Sequence, residues 1–447
     1  MAIEIYAVGG YGEVGRNMTA VKVGEEVFLL DMGLHMPNYI RYTEEEETEL
    51  KKHTTEELRK AKAVPDDTLV DSLRKKVKAI ITTHAHLDHI GAIPYIAERY
   101  EVPIYCTPFT GEVIKEILRD QKRKIPNQIK TMHPNSSMKI SENVTLEFLG
   151  ITHSTPQSVI AVLHTPEGII AYTNDFKLDN NPILGQKPNY EGMKKLSEKG
   201  VKVAIIDTLY ADDERKTASE MIAREMLRDV LLNVNNKNKA VLVTTFSSHI
   251  ARIKSAVEFA QKIGRKPVLI GRSLAKYVQA AENAGVTHFG KDIYIVRYSS
   301  QARKELSKIV KKGIHKYLLI TTGHQGEPRA VLSKMADGIL PFPFQHEDHI
   351  IFSCNIIPTE VNIALREKLE EKLRTKGLRI FKGIHVSGHG GREDMRDLIH
   401  MLKPKNVIPA HSDKKVIEAF VQLAEKMGYE KGKTLHPIIE GQKVSVE

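Results

Sequence analysis

The sequence predicts an α/β protein in which a strand-rich domain is interrupted by a layer of alternating strands and helices. Three observations carry that expectation. The 447 residues are too many for one compact core, so two or three domains are expected. The first part of the chain is dominated by short runs rich in β-branched residues, bounded by Gly or polar turns. From about residue 203 the pattern becomes strand, amphipathic helix, strand, which implies parallel βαβ units.

Taken in order, IEIYAV, TAVKV, EVFLLDMG and KAIITT read as strands. Between the first two, the run from Gly10 to Gly15 satisfies GxGxxG, yet that fingerprint needs a helix behind it to hold a pyrophosphate. MTAVKVGEEVFLLD follows instead, the pattern of a hairpin, so the glycines read as a turn between strands. Residues 44–63 are charged on all sides at Glu/Lys spacing and read as a solvated helix. TLEFLGI, SVIAVLHT and GIIAYTND are the next strands. VAIIDTL, a helix near 217–233, AVLVTTF, a helix near 249–263, PVLIG and a further helix make the alternating layer. HIIFSCN and RIFKGIHV return to strands, before a helix near 392–402 and the strand NVIPA.

Composition narrows the function classes. Apolar residues at 41% and charged residues at 27% are those of an ordinary globular chain. No apolar run approaches the roughly 18 residues of a membrane span, and MAIEIYAVGG lacks the basic start of a signal peptide. Cys106 and Cys354 are the only cysteines, which excludes a disulfide framework and suits a cytoplasmic location. Lys plus Arg exceed Asp plus Glu by 66 − 56 = 10, a balance that favours polyanionic partners.

The chemistry concentrates after the strand KAIITT, where THAHLDHIGAIP places His84, His86, Asp88 and His89 within six positions. On an extended strand end His84 and His86 point the same way, and Asp88 and His89 follow as the chain turns into a helix. Imidazole and carboxylate are ligands for zinc and related metals. Two metals need more ligands than these, and the candidates close other strands: Asp31 after EVFLL, His153 after FLGIT, Asp175 after IIAYTN and His411 after NVIPA. Polar residues at the tips of apolar strands collect at one edge of a sandwich.

Asp31, the HAHLDH run, His153 and Asp175 resemble the ordered motifs of the metallo-β-lactamase superfamily. The stretch after Asp207 resembles the β-CASP group within it, with Asp207, His389 and His411 matching that group's three motifs in order. VPDD, THSTPQSV, TNDFKLD, TTGHQGEPRAVLSKMA and KGIHVSGHGGREDMRDLI together resemble the ribonuclease J family, and the short stretch after His411 resembles its archaeal members. His324 and Asn174 depart from that pattern, which often has Ser and Gly there.

The resemblance implies a metallo-β-lactamase αββα sandwich with an inserted β-CASP α/β domain. Expected boundaries are 1–208 and 349–447 for the two parts of the sandwich and 209–348 for the insertion. It implies two divalent metal ions, zinc with manganese or magnesium as alternatives. His84, His86 and His153 would hold one, Asp88, His89 and His411 the other, with Asp175 bridging and Asp31 orienting ligands. His389 would be the general acid, held by Asp207. Ser247, Ser248, His249, His385, Val386, Ser387, Gly388 and His389 would contact substrate, with TTFSS as a plain helix cap the alternative for the first three. The implied activity is 5′→3′ exonucleolysis of single-stranded RNA with 5′-monophosphate ends, in RNA decay and processing. Within the group, His at the last motif goes with RNA rather than DNA substrates. A β-CASP endoribonuclease and a small-molecule metallohydrolase are the alternatives. A homodimer, RNA-decay complex partners and a channel between the domains are further expectations.

Overall fold

The computed structural model describes residues 2–45, 53–290, 293–357 and 359–447, and its chain divides into two compact units. The first comprises residues 1–180, 185–217 and 388–447; the second comprises 181–184 and 218–387.

The first unit is built on two facing sheets. One runs in the order Lys443–Val446, Ile3–Gly9, Met18–Val23, Glu26–Leu30, Val77–Ile81, Ile104–Cys106, Ile129–Thr131. The other runs Asn406–Ala410, Val201–Asp207, Gly168–Thr173, Val159–Thr165, Thr145–Gly150, Ser136–Lys139. Alternate residues face inward: Ile5, Val21, Phe28, Leu30 and Ile81 share a buried cluster with Phe148, Ala161, Leu163, Ile205 and Ile408. Each Val, Leu, Ile or Phe among them contributes about 1.5–3 kcal/mol on burial. The opposite face of the second sheet is also buried, by helices Tyr190–Lys199, Arg392–Leu402 and Lys414–Lys426. Helix Pro108–Asp120 covers the outer face of the first sheet, where Gly111 lies against Cys106 and Ile129. The layering is therefore αββα.

Register decides where the polar strand tips go. Gly168–Thr173, Val201–Asp207 and Asn406–Ala410 run parallel, with Thr173 opposite Ile206 and Asp207 opposite Ala410. Glu26–Leu30 and Val77–Ile81 are parallel too, Leu30 opposite Ile81. Asp175, Asp207 and His411 thus leave one sheet at its carboxyl edge, as Asp31 and His84 leave the other.

The second unit is a six-stranded parallel sheet ordered Tyr294–Val296, Lys266–Ile270, Tyr317–Thr321, Val241–Thr244, His349–Phe352, Arg379–Phe381. Helices including Ile250–Lys262 and Ser299–Lys312 flank it. The helix expected near 217–233 is Glu220–Arg228 continued by a π-helical turn, Asp229–Asn233.

Both expected boundaries of the insertion need correction. The chain leaves the first unit after Thr217, not at 209, and re-enters it at Gly388, not at 349. His349–Phe352 pairs with Val241–Thr244, and Ile350 and Phe352 are buried in the second unit's core, so 349–387 belongs to the insertion. A continuous apolar run such as HIIF marks a buried parallel strand but carries no address for its sheet. Of the charged stretch 44–63, residues 46–52 lie outside the described residues, and Thr55–Lys60 forms a helix closed by a Thr54/Glu57 capping box.

Candidate metal centre

Three of the site residues sit at strand ends with left-handed backbones: Asp31 at φ 59°, Asp175 at φ 50° and His411 at φ 60°. Such conformations cost free energy for residues other than glycine and are held only where surroundings over-determine them. Here they turn each side chain off its sheet toward one point.

The first group is His84, His86, His153 and Asp175. Nε2 of His84 lies 3.1 Å from Nδ1 of His86, and that atom lies 3.0 Å from Nε2 of His153. Oδ2 of Asp175 is 3.3 Å from His84 and 3.5 Å from His153. A tetrahedral zinc with bonds near 2.0–2.1 Å holds its ligand atoms about 3.3 Å apart, so the spacing fits one. The second group is Asp88, His89, Asp175 and His411. His89 Nε2 is 3.1 Å from Oδ1 of Asp175 and 3.7 Å from Asp88, and His411 Nε2 is 3.7 Å from both carboxylates. Asp175 faces both groups, one oxygen to each. Neither oxygen accepts a hydrogen bond from a described residue, although the side chain is 1% exposed. A buried carboxylate without donors needs a cation.

The other nitrogen of each imidazole is occupied, which is what a ligand histidine requires. His89 Nδ1 donates to Asp31 at 2.7 Å. His84 Nδ1 meets the Thr83 hydroxyl at 3.1 Å, which in turn donates to Asp31 at 2.9 Å. His153 Nδ1 donates to the Gly388 carbonyl at 2.6 Å. His411 Nδ1 lies 2.8–3.0 Å from the Asn17 amide. Thr83 and Asn17 escaped the sequence reading. The signal for Asn17 was its place beside the glycine turn: the Gly10 carbonyl accepts the His411 amide at 2.6 Å, and a Cβ on Gly10 would meet Asn17 at 2.3 Å.

At the first group electrostatics agree with metal ligation. Burial, with repulsion from His89, pushes His84 down to about 4, and burial with His84 and His86 pushes His153 well down, so both rings are neutral. His89 moves the other way: burial opposes its charge, but Asp175, Asp31 and Asp88 outweigh burial. Burial likewise opposes ionisation of Asp175, and the surrounding imidazoles overcome it.

His389 stands beside both groups. Its Nδ1 is 2.7 Å from Oδ2 of the fully buried Asp207, and its Nε2 is 3.7 Å from Asp175. Asp207 is itself fixed by the Leu209 amide at 2.8 Å. Gly388 is required by packing, since a Cβ would lie 2.8 Å from Ser154 and 3.2 Å from His153. Asn174, where a glycine was expected, donates to the Tyr172 hydroxyl at 2.8 Å.

The remaining sequence candidates belong to the second unit. Ser247 and Ser248 follow strand Val241–Thr244, and the Ser247 hydroxyl is 2.9 Å from that of Ser273. The capping alternative does not hold, because helix Ile250–Lys262 has His249 at its N-cap and no side-chain cap bond. His249 Nε2 lies 3.3 Å from Glu220, whose carboxylate is gripped by Arg252 at 2.6 and 2.8 Å. Arg252 also donates to the carbonyls of Ser353 and Ile384, tying the start of the His385–Ser387 segment to the same network. His324 packs edge-on against Phe246 with ring centroids 4.4 Å apart.

Three family profiles match: "Beta-lactamase superfamily domain" over residues 57–243, "Ribonuclease J, beta-CASP domain" over 238–367, and "Zn-dependent metallo-hydrolase RNA specificity domain" over 377–435. The chain is 45% identical to a Ribonuclease J of Methanocaldococcus jannaschii, over 100% of this chain and 99% of the relative. It is 42% identical to one of Pyrococcus abyssi, over 99% and 97%. Ribonuclease J2 of Bacillus subtilis is 28% identical over 95% of this chain and 72% of that protein. In structure the chain resembles a protein of unknown function from Enterococcus faecalis V583, with a TM-score of 0.67 over the whole of both chains at 18% identity.

Proposed function

This chain belongs to the ribonuclease J family and is a metal-dependent ribonuclease, and from that premise we propose a 5′→3′ exonuclease on single-stranded RNA with a 5′-monophosphate end. The observation that carries the proposal is His389, an imidazole ordered by a buried carboxylate beside two metal-ligand groups and a member of neither, forming a third cluster only with Asp175 and Asp207.

His84, His86, His153 and Asp175 would hold one divalent ion, zinc being the best match to the spacing, and Asp88, His89, His411 and Asp175 a second. Cations there supply Lewis acidity and neutralise charge on the phosphodiester. The chain's own residues supply the rest. Asp207 fixes the His389 ring through Nδ1, leaving Nε2–H to protonate the departing ribose oxygen. Burial opposes the charge on His389, but Asp175 and Asp207 outweigh it and carry its pKa up to about 9. Asp31 and Asn17 keep the ligand nitrogens aimed, so no energy is spent reorganising them during turnover.

His385 to His389 would run along the substrate backbone, and Ser247, Ser248 and His249 would receive the terminal phosphate. Their support is position, at the carboxyl end of a parallel sheet, where α/β folds bind ligands. The test is one RNA with a 3′ label and a 5′-hydroxyl, monophosphate or triphosphate end. The monophosphate should be degraded fastest, with mononucleotides released from the 5′ side. Equal rates for all three ends, or an early internal cut, would replace this reading with that of an endoribonuclease.

A further inference from the structure

We propose that the basic face of helix Ser299–Lys312, with Tyr298 at its start, is an accessory binding surface for the body of single-stranded RNA. The proposal rests on the ribonuclease reading but concerns a surface separate from the residues assigned above.

Charge is divided unequally between the units. The second unit holds 28 Lys plus Arg against 15 Asp plus Glu, net +13, while the first holds 38 against 41, net −3. All of the chain's positive balance therefore lies on the insertion. Helix Ser299–Lys312 is a place where it concentrates. Ala302, Leu306 and Ile309 recur at helical spacing and are buried against the unit's core. Lys304, Lys308, Lys311 and Lys312 occupy the other side and are exposed. Glu305 is the helix's sole acidic residue, and it pairs with Lys308 at 2.8 Å. A helix made only for solubility intersperses both signs; this one carries five basic residues against one acidic.

The second observation is aromatic. Tyr298, at the N-cap, is 54% exposed, and the Arg297 guanidinium lies 5.9 Å from its ring centre. Tyr294, on the edge strand that precedes it, is 40% exposed. Exposed tyrosines, one with a half-buried arginine against its ring, beside a row of lysines are the arrangement that binds single strands without regard to sequence: bases stack while ammonium groups neutralise phosphates. Lys304 to Lys312 spans about 12 Å of helix, enough to follow a strand rather than seat one phosphate.

The experiment compares wild type with K304A/K308A/K311A/K312A and with Y298A, using unstructured 5′-monophosphorylated RNAs of about 30 and about 5 nucleotides. The quadruple variant should bind the long RNA at least about 10-fold more weakly, and its salt slope should fall by up to about 3, at 0.7 per lost contact. Y298A should weaken the long RNA alone. Turnover of the short RNA should be unchanged, which also reports that the variants are folded. Unchanged affinity for the long RNA, or an equal loss on both lengths, would overturn the proposal while the ribonuclease reading stood. A wild type that neither binds nor cleaves either RNA would overturn both.

Discussion

The histidines of this site divide by what their second ring nitrogen touches. His84, His89, His153 and His411 each give one nitrogen to a ligand group and have the other held by Thr83, Asp31, Gly388 or Asn17. His389 gives its held nitrogen to Asp207 and keeps the other for substrate. His411→Ala should therefore lower metal content, measured by elemental analysis after dialysis. His389→Ala should keep its metal and lose about 10²–10⁴ in cleavage rate. An emptied site in His389→Ala would make it a ligand, as its proximity to Asp175 allows. Asn17→Ala should leave the fold intact and weaken metal binding by about 10–100-fold, read by titration with a metallochromic competitor. The residues that gather in the two candidate groups were legible in the sequence because a histidine or aspartate at the tip of an apolar strand has few structural uses. Thr83 and Asn17 were not, since a threonine in a strand and an asparagine in a glycine turn have ordinary uses that chemistry alone does not distinguish.

At the scale of elements, the strands were legible from β-branched runs and the shared edge from the Asp or His that closes each of them. The return of 349–387 to the inserted sheet was not, because HIIF and RIF match a buried strand of either unit. His349 marks that return with a testable cost. It is 1% exposed, neither ring nitrogen has a hydrogen-bond partner among the described residues, and its ring packs edge-on against Phe381. Burial, with Arg379 and Arg265 nearby, pushes it down to about 4. The unfolded chain takes up this proton near pH 6.5 and the folded chain only near 4, so stability is full above 6.5 and lost as pH falls through that window. His349→Phe should remove the loss. Chemical denaturation of both proteins should show wild type falling more steeply between pH 6.5 and 4, by roughly 1 kcal/mol per pH unit. Parallel pH profiles would mean that His349 is protonated in the folded protein.

At the scale of the molecule, two cores and one metal centre predict unequal responses to chelation. The candidate ligands all belong to the first unit, whose sheets carry the strand ends they close. Removing metal should lower that unit's unfolding temperature in calorimetry and leave the second unit's transition in place, since binding stabilises only what binds: about 4 kcal/mol when free metal is 1,000 times Kd. A single transition that moves as one would show the units to be thermally coupled. The central claim, that this centre hydrolyses RNA from its 5′ end, is met most directly by one comparison. Metal-loaded protein is given single-stranded RNA and DNA of the same sequence, each with a 5′-monophosphate and a 3′ label. The account expects 5′-mononucleotides from RNA, with the labelled strand shortening from its 5′ side and little loss of DNA, because the 2′-hydroxyl is what a protein can read at one nucleotide. DNA consumed as fast as RNA, or a label released first from the 3′ end, would contradict it.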